Sequence, residues 1–278
     1  MRIGFHVSIS GAVDEAVDRA ASAGCNTFQI FTRNPRGWKF KPLESDEVER
    51  FKEKVKRHGM SPVFDHMPYL PNLASSRPRI YRLSVDSLKA ELRRCYELRI
   101  PYLVTHLGSH LGSGKASGLR RIIDAVNEAF SEDVEGTVLL LENTAGTRNS
   151  MGSSFEDIRR VVDGVARPDR VGVCFDTCHA FAAGYDLRTE GAVGAVIERF
   201  KEVLGWERLR LIHLNDSKGG LRSRIDRHEH IGLGKIGKEG FRSILRSEYG
   251  KLPLILETPV DEKRSDLENL KEARELAK

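Results

Sequence analysis

Apolar positions along the chain follow two alternating rhythms. Short β-type runs rich in Val, Ile, Leu, Phe and Thr give way, again and again, to longer stretches in which apolar residues recur at helical spacing. Eight runs predict strands: Arg2–Ser8, Thr27–Thr32, Pro62–His66, Tyr102–Leu107, Thr137–Asn143, Val171–Thr177, Leu209–Asp216 and Pro253–Thr258. Amphipathic stretches at Ser10–Ala23, Ser45–His58, Arg79–Arg99, Leu119–Glu132, Phe155–Val165 and Thr189–Leu204 predict helices between most of them. Repeated strand–helix alternation predicts a parallel sheet. Eight repeats predict an α/β fold of the closed (β/α)8, or TIM-barrel, form. The competing open, doubly wound sheet wants a Gly-rich first turn such as GxGxxG; HVSISGAVDEA supplies none. No break in composition divides the 278 residues, so one domain over 1–278 is expected.

Composition narrows the class. With 40% hydrophobic and 31% charged residues, the chain has enough apolar material for a core, which excludes intrinsic disorder. No run of apolar residues is long enough to span a bilayer, and the opening MRIGFHVSIS lacks the parts of a secretion signal. Four cysteines (Cys25, Cys95, Cys174, Cys178) in so long a chain do not make a disulfide framework. A cytoplasmic monomer without membrane contact is the expectation. The net charge of +5 permits an anionic partner without requiring one.

The predicted strand ends carry the candidate chemistry. Strand three ends at His66, strand four near His106, strand five near Glu142, strand six near Asp176, strand seven near His213 and strand eight near Glu257. In a barrel these positions converge on the C-terminal mouth, where active sites sit. Any one of them reads as a satisfied polar strand end; six together do not. Neutral imidazole and carboxylate are the ligands of zinc and related ions. His179 lies one helical turn beyond Asp176, and Asp226-Arg-His228 places two more donors on one side of an extended segment. That makes nine donors, enough for three ions, and clustered divalent ions are the machinery of phosphoester hydrolysis. His6 reads as a support for a ligand rather than a ligand. His58 reads as a helix cap, and His110 and His230 as supports or loop residues. Cys174 and Cys178 read as small buried hydrophobes.

Three segments then resemble endonuclease IV, the metal-dependent abasic-site endonuclease family: LLENTAG at 140–146, VGVCFDTCHAFAAGYD at 171–186, and IHLNDSKGGLRSRIDRHEHIGLGKIG at 212–237. HVSISG at 6–11 and FTRNPRGW at 31–38 extend the likeness. The resemblance implies a (β/α)8 barrel with three zinc ions, manganese being admissible at one site. His66, His106 and Glu142 would hold one ion. Glu142 as a bridge, with Asp176, His213 and Glu257, would hold the second, and His179, Asp226 and His228 the third. Glu142 is also a candidate catalytic base. The implied reaction hydrolyses the phosphodiester 5′ to an abasic site in double-stranded DNA, leaving a 3′-hydroxyl and a 5′-deoxyribose phosphate. Two departures lie on mouth loops: Arg222 where the family usually has Gly, and Thr147-Arg148 where it usually has Gln-Gly.

Charge placement fits a phosphate partner. Segment 32–41 holds Arg33, Arg36, Lys39 and Lys41 and no acid, and segment 218–238 holds six Lys or Arg against two acids. Tyr69 and Leu70 follow His66 directly. They read either as core or as a wedge for the base stack, and the resemblance implies the wedge, with Arg36 entering from the other side. Two other functions compete. A sugar isomerase or epimerase would leave the third set of donors unused, and a DNA-binding protein without activity would leave all nine unexplained.

Overall fold

Strands that are apolar on both faces must be covered on both, which favours parallel pairing under helices. In the computed structural model, which describes residues 1–131 and 135–278, the eight predicted runs form strands of three to six residues: β1 (Ile3–Phe5), β2 (Phe28–Ile30), β3 (Val63–His66), β4 (Tyr102–His106), β5 (Val138–Glu142), β6 (Val171–Asp176), β7 (Leu209–His213) and, after the hairpin β8 (Asp216–Ser217) and β9 (His228–Glu229), β10 (Leu254–Leu256). All eight barrel strands are parallel, in the order β1-β10-β7-β6-β5-β4-β3-β2. A parallel bridge between His6 and Gln29 closes the ring. The fold is therefore a TIM barrel.

Helices α1 (Glu15–Ser22), α2 (Ser45–His58), α3 (Pro78–Leu98), α4 (Lys115–Phe130), α5 (Phe155–Gly164), α6 (Thr177–Ala183), α7 (Glu190–Leu204), α8 (Gly237–Arg246) and α9 (Asp266–Leu276) follow the strands. The predicted Ser10–Ala23 starts later, at α1, with Asp14 preceding it and held by Lys54 at 2.6 Å. The predicted end at Glu132 lies outside the described residues. Helices α6, α8 and α9 lie outside the six amphipathic stretches named above. Among the described residues, no helix is long and apolar enough to cross a membrane.

Side chains alternate along each strand, so every second residue enters the barrel. Phe64, Val104, Leu140, Cys174, Leu211 and Ile255 pack together as the barrel's interior layer. Their strand neighbours face the helices and join the larger outer core. Two residues further along each strand, the inward position is His66, His106, Glu142, Asp176, His213 and Glu257. The pleat alone stacks all six in one layer above an apolar floor. In β1 and β2 the corresponding bridged pair is His6 and Gln29, which completes the ring.

Candidate metal centre

Strand register brings the donors close. His106 is paired with Glu142, and Asp176 with His213. Their ligand atoms form three groups, each within 4.8 Å: His66 with His106 and Glu142; Glu142 with Asp176, His213 and Glu257; and His179 with Asp226 and His228. Glu142 is shared by the first two. Its Oε2 faces His66 Nε2 at 3.3 Å and His106 Nε2 at 3.6 Å, and its Oε1 faces His213 Nδ1 at 3.2 Å. The third group is assembled by local structure. Asp176 caps α6 by accepting from the backbone N–H of His179 at 2.6 Å, which turns that imidazole into the mouth. Asp226 meets His179 Nε2 at 2.9 Å. Buried Asp216 accepts from the N–H groups of Gly234 and Ile236, at 2.9 and 3.0 Å, and so pins the segment that carries Asp226 and His228. Cys178 lies near Asp176 and His228 as a further donor atom.

Hydrogen bonding assigns the imidazole protons. A carbonyl oxygen only accepts, so Nδ1–H must donate where His66 meets Met67 O at 2.6 Å, where His179 meets Asn143 O at 3.0 Å, and where His228 meets Glu257 O at 2.8 Å. Each Nε2 is thereby left as the free nitrogen. His213 is held the other way round. Its Nε2–H donates to Gln29 Oε1 at 2.9 Å, leaving Nδ1 toward three carboxylates. Gln29 completes its own bonding by donating to Glu257 Oε1 at 2.7 Å and by meeting His6 Nδ1 at 2.9 Å. Asn215 likewise donates to Asp176 Oδ2 at 2.7 Å and accepts from Glu257 N–H at 2.8 Å. Four ring nitrogens are thus left facing carboxylates or, at His228, no hydrogen-bond partner. His228 Nε2 is buried and has no hydrogen-bond partner. Such an arrangement fits cations, and the imidazole nitrogens and carboxylate oxygens of the three groups suit zinc or manganese.

The electrostatics agree. Burial would lower the basicity of His179 and His213. Instead both are held well above the ordinary histidine range, His179 chiefly by Asp176 and Asp226, His213 chiefly by Cys174, Glu257 and Glu142. Burial would raise the Glu142 carboxyl, but His106 and His213 hold it well below the usual range. His106 differs: burial is the largest influence and lowers it.

The mouth holds a cavity of about 460 Å³ lined by His6, Phe31, Tyr69, His106, Asp226, His228 and neighbours. Tyr69 also borders a second cleft of about 410 Å³ with Leu70, Asn72, Thr144, Thr147 and Ser150. Tyr69 is 64% exposed and Leu70 39%, so neither is core. The Tyr69 ring lies edge-on to Phe31, and its N–H donates to Pro35 O at 3.2 Å, which joins its loop to the one carrying exposed Arg36. Among the described residues, Arg36, Lys39, Lys41, Lys218, Arg222, Arg224, Arg227 and Lys235 form no ion pair with a carboxylate, whereas Lys238 is paired with Glu272. Arg222 has φ of 62°, the left-handed conformation that glycine adopts freely, and its side chain lies along Gly184.

The other histidines are structural. His230 is buried between Asp261 and Asn269, His110 accepts two backbone N–H groups, and His58 sits by Asp18 at the end of α2. Sequence reasoning passed over Gln29 and Asn215. Gln29 stands mid-run in a segment read as reaching Thr32; a polar amide inside an apolar strand was the available signal.

A parallel barrel with a ring of nitrogen and oxygen donors at its C-terminal mouth, beside a basic rim, is the architecture of a metal-dependent enzyme. Comparison with known proteins makes this specific. The family described as a xylose isomerase-like TIM barrel matches residues 17–278. A probable endonuclease 4 of Methanoculleus marisnigri is 57% identical over 277 residues, covering 99% of this chain and 98% of that one. The crystal structure of endonuclease IV from Thermus thermophilus superposes with a TM-score of 0.88 at 36% identity, covering 99% of this chain and 98% of that one. A D-tagatose 3-epimerase-like protein, at a TM-score of 0.73 and 21% identity over 100% of this chain and 98% of that one, shares the barrel alone. The chain belongs to the endonuclease IV family of apurinic/apyrimidinic endonucleases, enzymes of DNA repair.

Proposed function

We propose that this enzyme hydrolyses the phosphodiester 5′ to an abasic site in duplex DNA, leaving a 3′-hydroxyl and a 5′-deoxyribose phosphate, with three divalent ions, zinc foremost. One observation carries the reading: nine donors form three groups, two of them joined through Glu142, at the barrel mouth. His66, His106 and Glu142 would hold one ion; Glu142, Asp176, His213 and Glu257 the second; His179, Asp226 and His228 the third. When bound, such ions lower the pKa of water and neutralise charge on phosphate oxygens; the four carboxylates would offset four of their six charges, leaving about two for the anionic substrate.

The remaining work falls to the chain. Both Glu142 oxygens already face imidazoles, which favours a bridge over a base. Gln29 and Asn215 fix the donors they touch before any ion arrives, the support that metal sites require. The unpaired cations of segments 32–41 and 218–238 bind backbone phosphates. Tyr69 and Leu70, with Arg36, enter the stack at the lesion, where a missing base lowers the cost of opening. The test is a duplex bearing one abasic site, incubated with and without chelator. Chelator-sensitive incision leaving an end that a polymerase extends supports the reading; an end that resists extension defeats the hydrolytic chemistry.

A further inference from the structure

The loop that carries Arg36 is fastened from beneath by buried charge. Glu91, on α3, is fully buried, yet it is an ionisable group outside the three donor groups at the mouth. It accepts from Arg33 Nε and, at 2.5 Å, from the Thr32 hydroxyl. Arg33, itself buried, donates onward to Ser87 and, at 3.1 Å, to the carbonyl of Gly37. Arg94, one turn along α3, donates to the Thr32 hydroxyl at 2.9 Å, to the Thr32 carbonyl, and to the carbonyl of Lys41 at 3.0 Å. Both guanidinium groups lie over the Phe40 ring, Arg33 at 4.5 Å and Arg94 at 5.7 Å. Asp65 accepts from the Thr32 N–H at 3.2 Å, tying the same node to the strand of His66.

The two ends and the middle of segment 32–41 are thus bonded to one buried node. A fold needing only a connection between β2 and α2 has no use for this: buried ion pairs are weak sources of stability, and apolar packing serves as well. What the node does provide is a fixed shape for a loop whose outward side chains, Arg36 and Lys39, form no ion pair among the described residues. Ordering a loop in advance removes that cost from binding.

We propose that Glu91 is a positioning residue for DNA: acting through Arg33, Thr32 and Arg94, it holds the Arg36 loop in its binding shape before DNA arrives. This rests on the proposed DNA contact of Arg36. If Glu91→Gln leaves the loop competent about a tenth of the time, apparent affinity falls about tenfold. The test uses the metal-loaded enzyme, abasic duplex, and Glu91→Gln, Phe40→Ala, Arg36→Ala and the Glu91→Gln/Arg36→Ala double variant. Glu91→Gln is expected to raise KM about tenfold with kcat and metal content unchanged, and to speed trypsin cleavage after Arg36 and Lys39 without DNA. Phe40→Ala, which leaves the buried charges in place, is expected to move both readouts the same way by less. In the Arg36→Ala background the Glu91→Gln effect on KM should largely vanish. Equal effects in both backgrounds, a fall in kcat at constant KM, or an unchanged trypsin rate would overturn the proposal. An Arg36→Ala enzyme with wild-type KM would instead defeat the DNA contact itself, and the trypsin arm would still report whether Glu91 orders the loop.

Discussion

Replacing Gln29 by Leu removes three hydrogen bonds from the ring at the barrel mouth and almost no volume. The buried amide fixes His213 by accepting its Nε2–H at 2.9 Å and holds Glu257 by donating at 2.7 Å. Without it, His213 Nε2–H is left buried and unsatisfied, and its tautomer is no longer imposed. Loss of such support costs about 10–100-fold in metal affinity, or about 1.4–2.7 kcal/mol. An unsatisfied buried group costs about 1–3 kcal/mol of stability, and in a chain of this size each kcal/mol lowers Tm by roughly 2–4 °C. The variant should therefore melt a few degrees lower, stay folded, and need about 10–100 times more free zinc for half-maximal incision. The assay is incision rate against free zinc in a metal buffer, with calorimetry alongside. Because Gln29 touches only the second group of donors, one ion should weaken and the others should not. A Gln29→Leu enzyme with wild-type zinc dependence would refute the role assigned to the amide.

Proton release offers a second check. His179 and His213 are held protonated by surrounding carboxylates, and ions bind only unprotonated nitrogens. Zinc uptake by the metal-free protein at neutral pH should release about two protons, one at the His213 site and one at the His179 site, so the affinity of each of those two ions should rise by up to about tenfold per pH unit; titration calorimetry in buffers of different ionisation enthalpy counts them, and no release would contradict the protonation states. Leu70→Ala should keep its metals but cut an intact abasic duplex several-fold more slowly, with a smaller loss on a duplex already gapped at the lesion; parallel kinetics showing equal losses would return Leu70 to a packing role. His228→Ala should abolish most incision while circular dichroism stays unchanged, since its ring stands on the short hairpin strand β9 rather than in the barrel wall; near-normal incision would remove His228 from the third group.

The barrel was legible because its signal is a count: eight short β-type runs, most of them followed by a longer stretch of amphipathic spacing. Six mouth donors were legible because the pleat has a period of two and His66, His106, Glu142, Asp176, His213 and Glu257 each stand one period above an inward apolar residue. Strand two broke the reading. Phe31 and Thr32 prolong its apolar run past the true end at Ile30, so Gln29 looked like mid-strand rather than mouth. Helix α6 was legible only as the turn that carries His179, because six of its seven residues are buried and it shows no solvated face. The buried node beneath the Arg36 loop was illegible for another reason. Arg33 is far in sequence from Glu91 and Arg94, and a charged residue on an amphipathic helix reads as solvated until the partner that buries it is known.

Counting the ions tests the trinuclear centre most directly. Elemental analysis of active enzyme, expressed per chain and set against incision of an abasic duplex as metal is withdrawn and returned, should give close to three transition-metal ions, mostly zinc, with activity recovered only as the third returns. Full activity with a single ion per chain, or with none, would contradict it.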